Sequence, residues 1–203
     1  MTHIIIVRHG TTEWMEQGRV HGRLDSHLSE RGRQEARQVA VQLRQKRLDG
    51  FYTSPLGRAR ETAAEIAAEI GIQPAVLDGL REMDFGWLEG RRVPPSLTAS
   101  VPAALMHQVL RGVVILLTGE RWSHVERRAF SALRLVVEQH PSGCVLIVAH
   151  SGIHSAILSQ VLGQPGWRVR LYPFSPCGIT EIEMDGAGRA RLIALNQTQH
   201  LEG

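Results

Sequence analysis

Cysteine is scarce in this sequence. Only Cys144 and Cys177 occur in 203 residues, and neither sits in a metal-binding or redox spacing. Neither a disulfide framework nor a cysteine-based metal knuckle is expected, and both thiols are read as reduced in a cytoplasmic protein. The chain needs no such staples, because a compact chain of this size buries roughly 70% of its extended-chain surface. Long apolar runs are missing too. None approaches the ~20 residues of a membrane-spanning helix, so no membrane is expected as a partner. The opening Met-Thr-His-Ile-Ile-Ile-Val lacks the basic leader and the apolar length of a signal peptide. Aromatic residues make up 5% of the chain and nowhere interleave with a basic patch, which argues against nucleic acid.

Strand and helix signals alternate along the chain, which argues for stacked α/β layers rather than separate domains. An apolar run over 4–7 reads as a buried strand. After a loop holding Gly18, Gly22 and Asp25, Ser29-Glu30-Arg31-Gly32 opens a helix with Ala36, Val39, Ala40 and Leu43 at helical spacing. Phe51-Tyr52-Thr53 is a second short strand, and an alanine-rich helix over 59–70 follows Pro55. Ala75-Val76-Leu77 suggests a third strand. The segment 91–119, punctuated by Pro94, Pro95 and Pro102, reads as an irregular excursion covering the sheet edge or the site. Trp122, Val125, Ala129, Leu133, Val136 and Val137 mark an amphipathic helix, and Val145-Leu146-Ile147-Val148 a central strand. A helix over about 152–162 and a hairpin of 179–184 with 189–195 complete the pattern.

Three of these strands end in reactive groups: Arg8-His9-Gly10, Ser54-Pro55-Leu56-Gly57-Arg58, and Ala149-His150-Ser151-Gly152. If the strands are parallel and adjacent, all three loops emerge at one sheet edge, where ligands collect in open α/β folds. Two imidazoles and the arginines would then meet helix N-termini, a combination that favours phosphate. The net charge of +3 suits a small anionic substrate. A fourth element, Leu80-Arg81-Glu82-Met83-Asp84-Phe85-Gly86, offers a carboxyl group that could serve as an acid.

These pieces, in this order, resemble the histidine phosphatase superfamily, also called phosphoglycerate-mutase-like. The resemblance extends through Gly22-Arg23-Leu24-Asp25, Leu28-Ser29-Glu30-Arg31-Gly32 and the tail Leu195-Asn196-Gln197-Thr198. It implies a single domain over 1–203 with a variable cap at about 91–119. The implied fold is a three-layer α/β/α sandwich, its sheet mostly parallel with an antiparallel edge strand and its site at the C-terminal ends of the parallel strands. It implies His9 as the nucleophile that takes the phosphoryl group, Arg8 and Arg58 as its grip, His150 as a charge stabiliser, and Glu82 as proton donor. His21 and Gly22 match a stretch that touches substrate. No cofactor and no metal are implied, and a homodimer is compatible. His150 and His154 share a metal-compatible i,i+4 spacing, but no third ligand is apparent.

The chemistry fits these roles. Phosphoryl transfer needs positioning and charge stabilisation. Imidazole attacks only when neutral, and adjacent arginines disfavour its cation. Glu82 must carry a proton to act as an acid, so activity is expected to fall at high pH.

Two positions depart from the family pattern: Thr11 stands where many relatives have Glu, and Met15 where they have a phosphate-contacting Asn. Gly119-Glu120-Arg121 replaces the usual Gly-Glu-Ser. The leading expectation is a metal-independent phosphomonoesterase for a small phosphorylated metabolite. The alternatives are a cofactor-dependent phosphoglycerate-mutase-type isomerase, whose acid loop usually begins Leu-Asn-Glu-Arg, and a non-catalytic phospho-ligand scaffold.

Overall fold

The computed structural model describes residues 1–92, 119–165, 169, 172 and 174–202. Its strands are β1 (Thr2–Arg8), β2 (Gly50–Thr53), β3 (Ala75–Val76), β4 (Cys144–Ala149), β5 (Ile179–Met184) and β6 (Ala190–Gln197). The described helices are α1 (Glu13–Glu16), α2 (Glu30–Leu43), α3 (Gly57–Ile70), α4 (Trp122–Gln139) and α5 (Ser151–Val161). The expected cap over 91–119 lies almost entirely outside the described residues. No described helix is long and apolar enough to cross a membrane.

The six strands form one sheet in the order β3-β2-β4-β1-β5-β6. β4 lies between β1 and β2 and runs parallel to both, and β3 runs parallel to β2. The antiparallel edge of the sheet is the closing hairpin expected from the sequence. β5 lies antiparallel to β1, and β6 lies antiparallel to β5 at the outer edge, because a short Asp185–Gly188 turn folds the chain straight back.

Both faces of the sheet are covered, which explains why β1 and β4 are apolar without a break. Side chains alternate with a period of two. Ile4, Ile6, Val145 and Ile147 pack with the α4 and α5 residues Val125, Leu133, Ile153 and Ile157. Ile5, Val7, Leu146 and Val148 pack with Ala36, Val39, Ala63 and Ile66 of α2 and α3. α2 begins where Ser29 caps it by accepting from Gly32 N–H at 3.2 Å, and all four of its predicted apolar positions are buried. α3 starts at Gly57, two residues before the alanine-rich pattern suggested.

Strand register brings the three reactive loops to one level. Arg8 pairs with Ala149 and Thr53 with Val148. The next backbone groups continue the ladder, His9 N–H to Ala149 O at 2.9 Å and Ser54 N–H to Val148 O at 3.0 Å. His9, Ser54 and His150 therefore leave the sheet together.

The His9 turn is also pressed backbone to backbone against the first turn of α2. A Cβ on Gly32 would lie 1.9 Å from Thr11 O, so no larger residue fits. Alanine inside a helix normally stabilises by about 0.5–1 kcal/mol relative to glycine. Here Gly32→Ala is expected to destabilise by about 2 kcal/mol through overpacking, measured by urea denaturation. A gain in stability would contradict this contact.

Candidate active site

His9 is almost fully buried, with 3% exposure. Its Nδ1 lies 2.8 Å from the carbonyl of Gly10. A carbonyl only accepts, so Nδ1 carries the proton. Nε2 in turn meets the Arg58 Nε–H at 3.3 Å, a group that only donates. Both contacts fix the same neutral tautomer, with the lone pair on Nε2. Burial first, then Arg58 and Arg8, hold the His9 imidazole well below its ordinary value, as the two guanidinium groups alone were expected to do.

Arg58 lies in the first turn of α3 and is completely buried. It does not pair with Glu61, which instead takes His27, Arg33 and the Leu28 N–H. Its Nη1 donates to Leu24 O at 3.1 Å and Asp25 Oδ1 at 2.9 Å, and its Nη2 to Gly22 O at 2.8 Å. Asp25 also accepts the backbone N–H groups of Gly57 and Arg58, stabilising the N-terminus of α3. The glycine loop thus acts as a cradle for a cation, and Gly22 contributes its carbonyl to that cradle.

His150 is wholly buried, its ring centroid 5.2 Å from that of His9. Its Nε2 lies 2.7 Å from Ser54 Oγ, which also accepts the Leu56 N–H. Its Nδ1 has no partner among the described residues. The same holds for Arg8 Nε, while Arg8 Nη1 binds Phe174 O and Nη2 approaches Met15 Sδ at 3.7 Å. Among the described residues no carboxylate forms an ion pair with Arg8. Unpartnered buried donors cost about 1–3 kcal/mol each, and the oxygens of a phosphoryl group are suitable acceptors.

Glu82 is buried, its carboxylate accepting Met83 N–H at 2.8 Å and Gly152 N–H at 3.1 Å. Gly152 opens α5 one residue beyond Ser151, and a Cβ there would lie 2.2 Å from Glu82 Oε1. The glycine after His150-Ser151 is therefore what lets the carboxylate reach this edge. Asp84, the competing carboxylate of the same loop, turns away to Gly86 N–H and Arg23.

His21 sits at the rim, 6.2 Å ring to ring from His9 and 5.5 Å from Trp14. Its Nε2 lies 2.8 Å from the Thr12 hydroxyl, and burial together with Arg58 lowers it to about 4. Its ring is neutral in the physiological range. All seven expected site residues thus converge on one edge. Not foreseen were the supports: Asp25 and Ser54 as described, and Glu35, which accepts both Thr11 N–H at 2.8 Å and Thr11 Oγ1 at 3.0 Å. No group of three metal-ligating side chains occurs among the described residues.

A family model described as the histidine phosphatase superfamily (branch 1) matches residues 4–198. A Hydrogenobacter thermophilus protein provisionally named phosphoserine phosphatase 2 is 35% identical, over 98% of both chains. A Salmonella paratyphi A protein provisionally named phosphoglycerate mutase GpmB is 32% identical, over 90% of this chain and 85% of its own. The structure is similar to that of an Entamoeba histolytica phosphoserine phosphatase mutant solved with phosphoserine, with a TM-score of 0.83. The two are 27% identical, covering 99% of this chain and all of the other.

The buried imidazoles of His9, His150 and His154 and the half-buried one of His21 all resist protonation, chiefly through burial; His154 is lowered to about 3. Unfolded, each takes up a proton below about pH 6.5. Their contribution to stability is therefore complete above that pH and is lost as pH falls toward 4, at about 1.4 kcal/mol per pH unit per ring. The exposed His27–Glu61 pair has the opposite sign but is screened by solvent. The melting temperature is expected to be flat from pH 8 to 7 and to drop steeply from 6.5 to 5, less steeply in His154→Leu. A pH-independent melting temperature would contradict the burial of these rings.

Proposed function

Because the chain belongs to the histidine phosphatase superfamily and is a phosphatase of that type, we propose that it hydrolyses a small phosphorylated metabolite without metal, through a phosphohistidine on His9. The observation that carries this reading is the Nε2 lone pair of His9, fixed on a neutral ring with a guanidinium N–H 3.3 Å away. In the first step that lone pair forms a P–N bond while the P–O bond to the leaving group breaks. Arg58, Arg8 and His150 bind the oxygens that carry the negative charge. Glu82 delivers its proton to the departing oxygen. In the second step water attacks phosphorus, the Glu82 carboxylate takes the water proton, and the P–N bond breaks to release phosphate and restore His9.

Met15 supports this division of labour. Its sulfur lies against Arg8 and offers no donor to the phosphoryl group, so the grip falls on the two arginines and His150. His21, 6.2 Å ring to ring from His9, and the Gly22 turn are assigned to substrate binding in this reading. The two free thiols suit a reducing cytoplasmic compartment. Cys177 in particular is buried and held well above the usual thiol range by that burial, which makes it a poor nucleophile.

The mutase reading is favoured by the GpmB relative, which shares the matched length. It needs the phospho-enzyme to be protected from water, and it predicts isomerised phosphoglycerate in place of free phosphate.

The test is a panel of phosphomonoesters, beginning with phosphoserine and 3-phosphoglycerate, assayed in excess chelator. Expected are release of inorganic phosphate and a loss of roughly three orders of magnitude or more in His9→Ala. Protein quenched during turnover is expected to carry acid-labile, base-stable phosphate. Abolition by chelator, or undiminished turnover in His9→Ala, would overturn the proposal.

A further inference from the structure

We propose that Arg128 is the positioning residue for Glu82, with Glu120 as the carboxylate that holds Arg128 to that task; this rests on the reading of Glu82 as proton donor. Arg128 projects from α4, across the sheet layer from the His9 turn, and uses all five of its guanidinium donors. Nε donates to Glu120 Oε1 at 2.9 Å and Nη2 to Glu120 Oε2 at 2.8 Å, a bidentate pair. The remaining three N–H groups bind main-chain carbonyls of the acid loop: Gly79 O at 3.0 Å, Arg81 O, and Glu82 O at 3.2 Å. One side chain therefore pins the backbone on which Glu82 rides. Among the described residues, the carboxylate of Glu82 accepts the backbone N–H groups of Met83 and Gly152. Its direction follows the loop.

The pair is built to be permanent. Glu120 is 5% and Arg128 16% exposed at the side chain. Burial opposes the Glu120 charge, but the Arg128 bonds outweigh it and hold the carboxyl below its usual range. Glu120 also meets His124 Nδ1 at 2.6 Å and Arg23 Nη2 at 3.5 Å, and its N–H donates to Asp84 O at 3.0 Å. Glu120 thus stands against the acid loop twice, through Arg128 and through Asp84. Arg23, in turn, belongs to the loop whose Gly22 and Leu24 carbonyls bind Arg58. Lysine could replace the charge of Arg128 but not the planar fork that reaches three carbonyls and two carboxylate oxygens.

A residue that acts through a proton donor leaves a chemical signature. An alkyl phosphomonoester needs its leaving oxygen protonated, whereas p-nitrophenyl phosphate releases a stabilised phenolate that does not. A general loss of folding or binding lowers both rates alike.

The experiment measures kcat/KM of the full-length protein on p-nitrophenyl phosphate and on its best alkyl ester, for Glu82→Gln, Arg128→Lys and Glu120→Gln. Glu82→Gln is expected to lose ~10²-fold on the alkyl ester and much less on the aryl one. Arg128→Lys and Glu120→Gln are expected to show the same bias, at roughly tenfold on the alkyl ester. Glu120→Gln carries the test if Arg128→Lys does not fold. Equal losses on both substrates in the Arg128 and Glu120 variants, with the bias intact in Glu82→Gln, would overturn the positioning role alone. No bias in Glu82→Gln would strike the proton-donor reading and the proposal with it.

Discussion

A wholly buried guanidinium governs this structure. Arg58 has no exposure to water, and an unpaired charge in that position would cost several kcal/mol. The chain surrounds it with Asp25, two carbonyls from the loop 22–25, and the lone pair of His9. That set of contacts drapes the loop over the start of α3. It also leaves His9 one compatible tautomer, because a group that only donates faces Nε2. Stabilising the arginine and orienting the proposed nucleophile are one arrangement.

The acid side of the site is tied to this cradle by carboxylates rather than by apolar packing. Glu89 accepts the N–H groups of Arg23 and Leu24 from one loop and of Phe85 from the other, each at 2.9 Å. Glu120 makes a second bridge through Arg23 and Arg128. A change in either loop is therefore felt by the other, so the groups proposed to grip phosphate and the proposed proton donor keep a fixed spacing. Such preorganisation is what phosphoryl transfer demands of a protein. The sheet contributes the remaining constraint, since the parallel register of β1, β4 and β2 delivers His9, His150 and Ser54 to one level.

Much of this was legible in the sequence because it is local. The unbroken apolar runs of β1 and β4, the helical spacing of Ala36, Val39, Ala40 and Leu43, and the reactive triplets at the strand ends are patterns within a dozen residues. What escaped the sequence is non-local. Nothing near Asp25 says that it faces an arginine 33 positions away, nothing near Ser54 that it orients a ring 96 positions away, and nothing in α4 that Arg128 reaches the carbonyl of Glu82. The choice between Glu82 and Asp84 was also undecidable from spacing. It turns on which carboxylate meets the N-terminus of α5, and Gly152 makes room for Glu82 alone.

The most direct measurement is the ring state of His9, read by nitrogen-15 NMR and assigned by its absence in His9→Gln. The expected result is a neutral ring protonated at Nδ1 that shows no titration between pH 8 and 5. A proton on Nε2, or a titration near the ordinary value of about 6.5, would mean that no lone pair is presented for attack, and the catalytic reading of the site would fall with it.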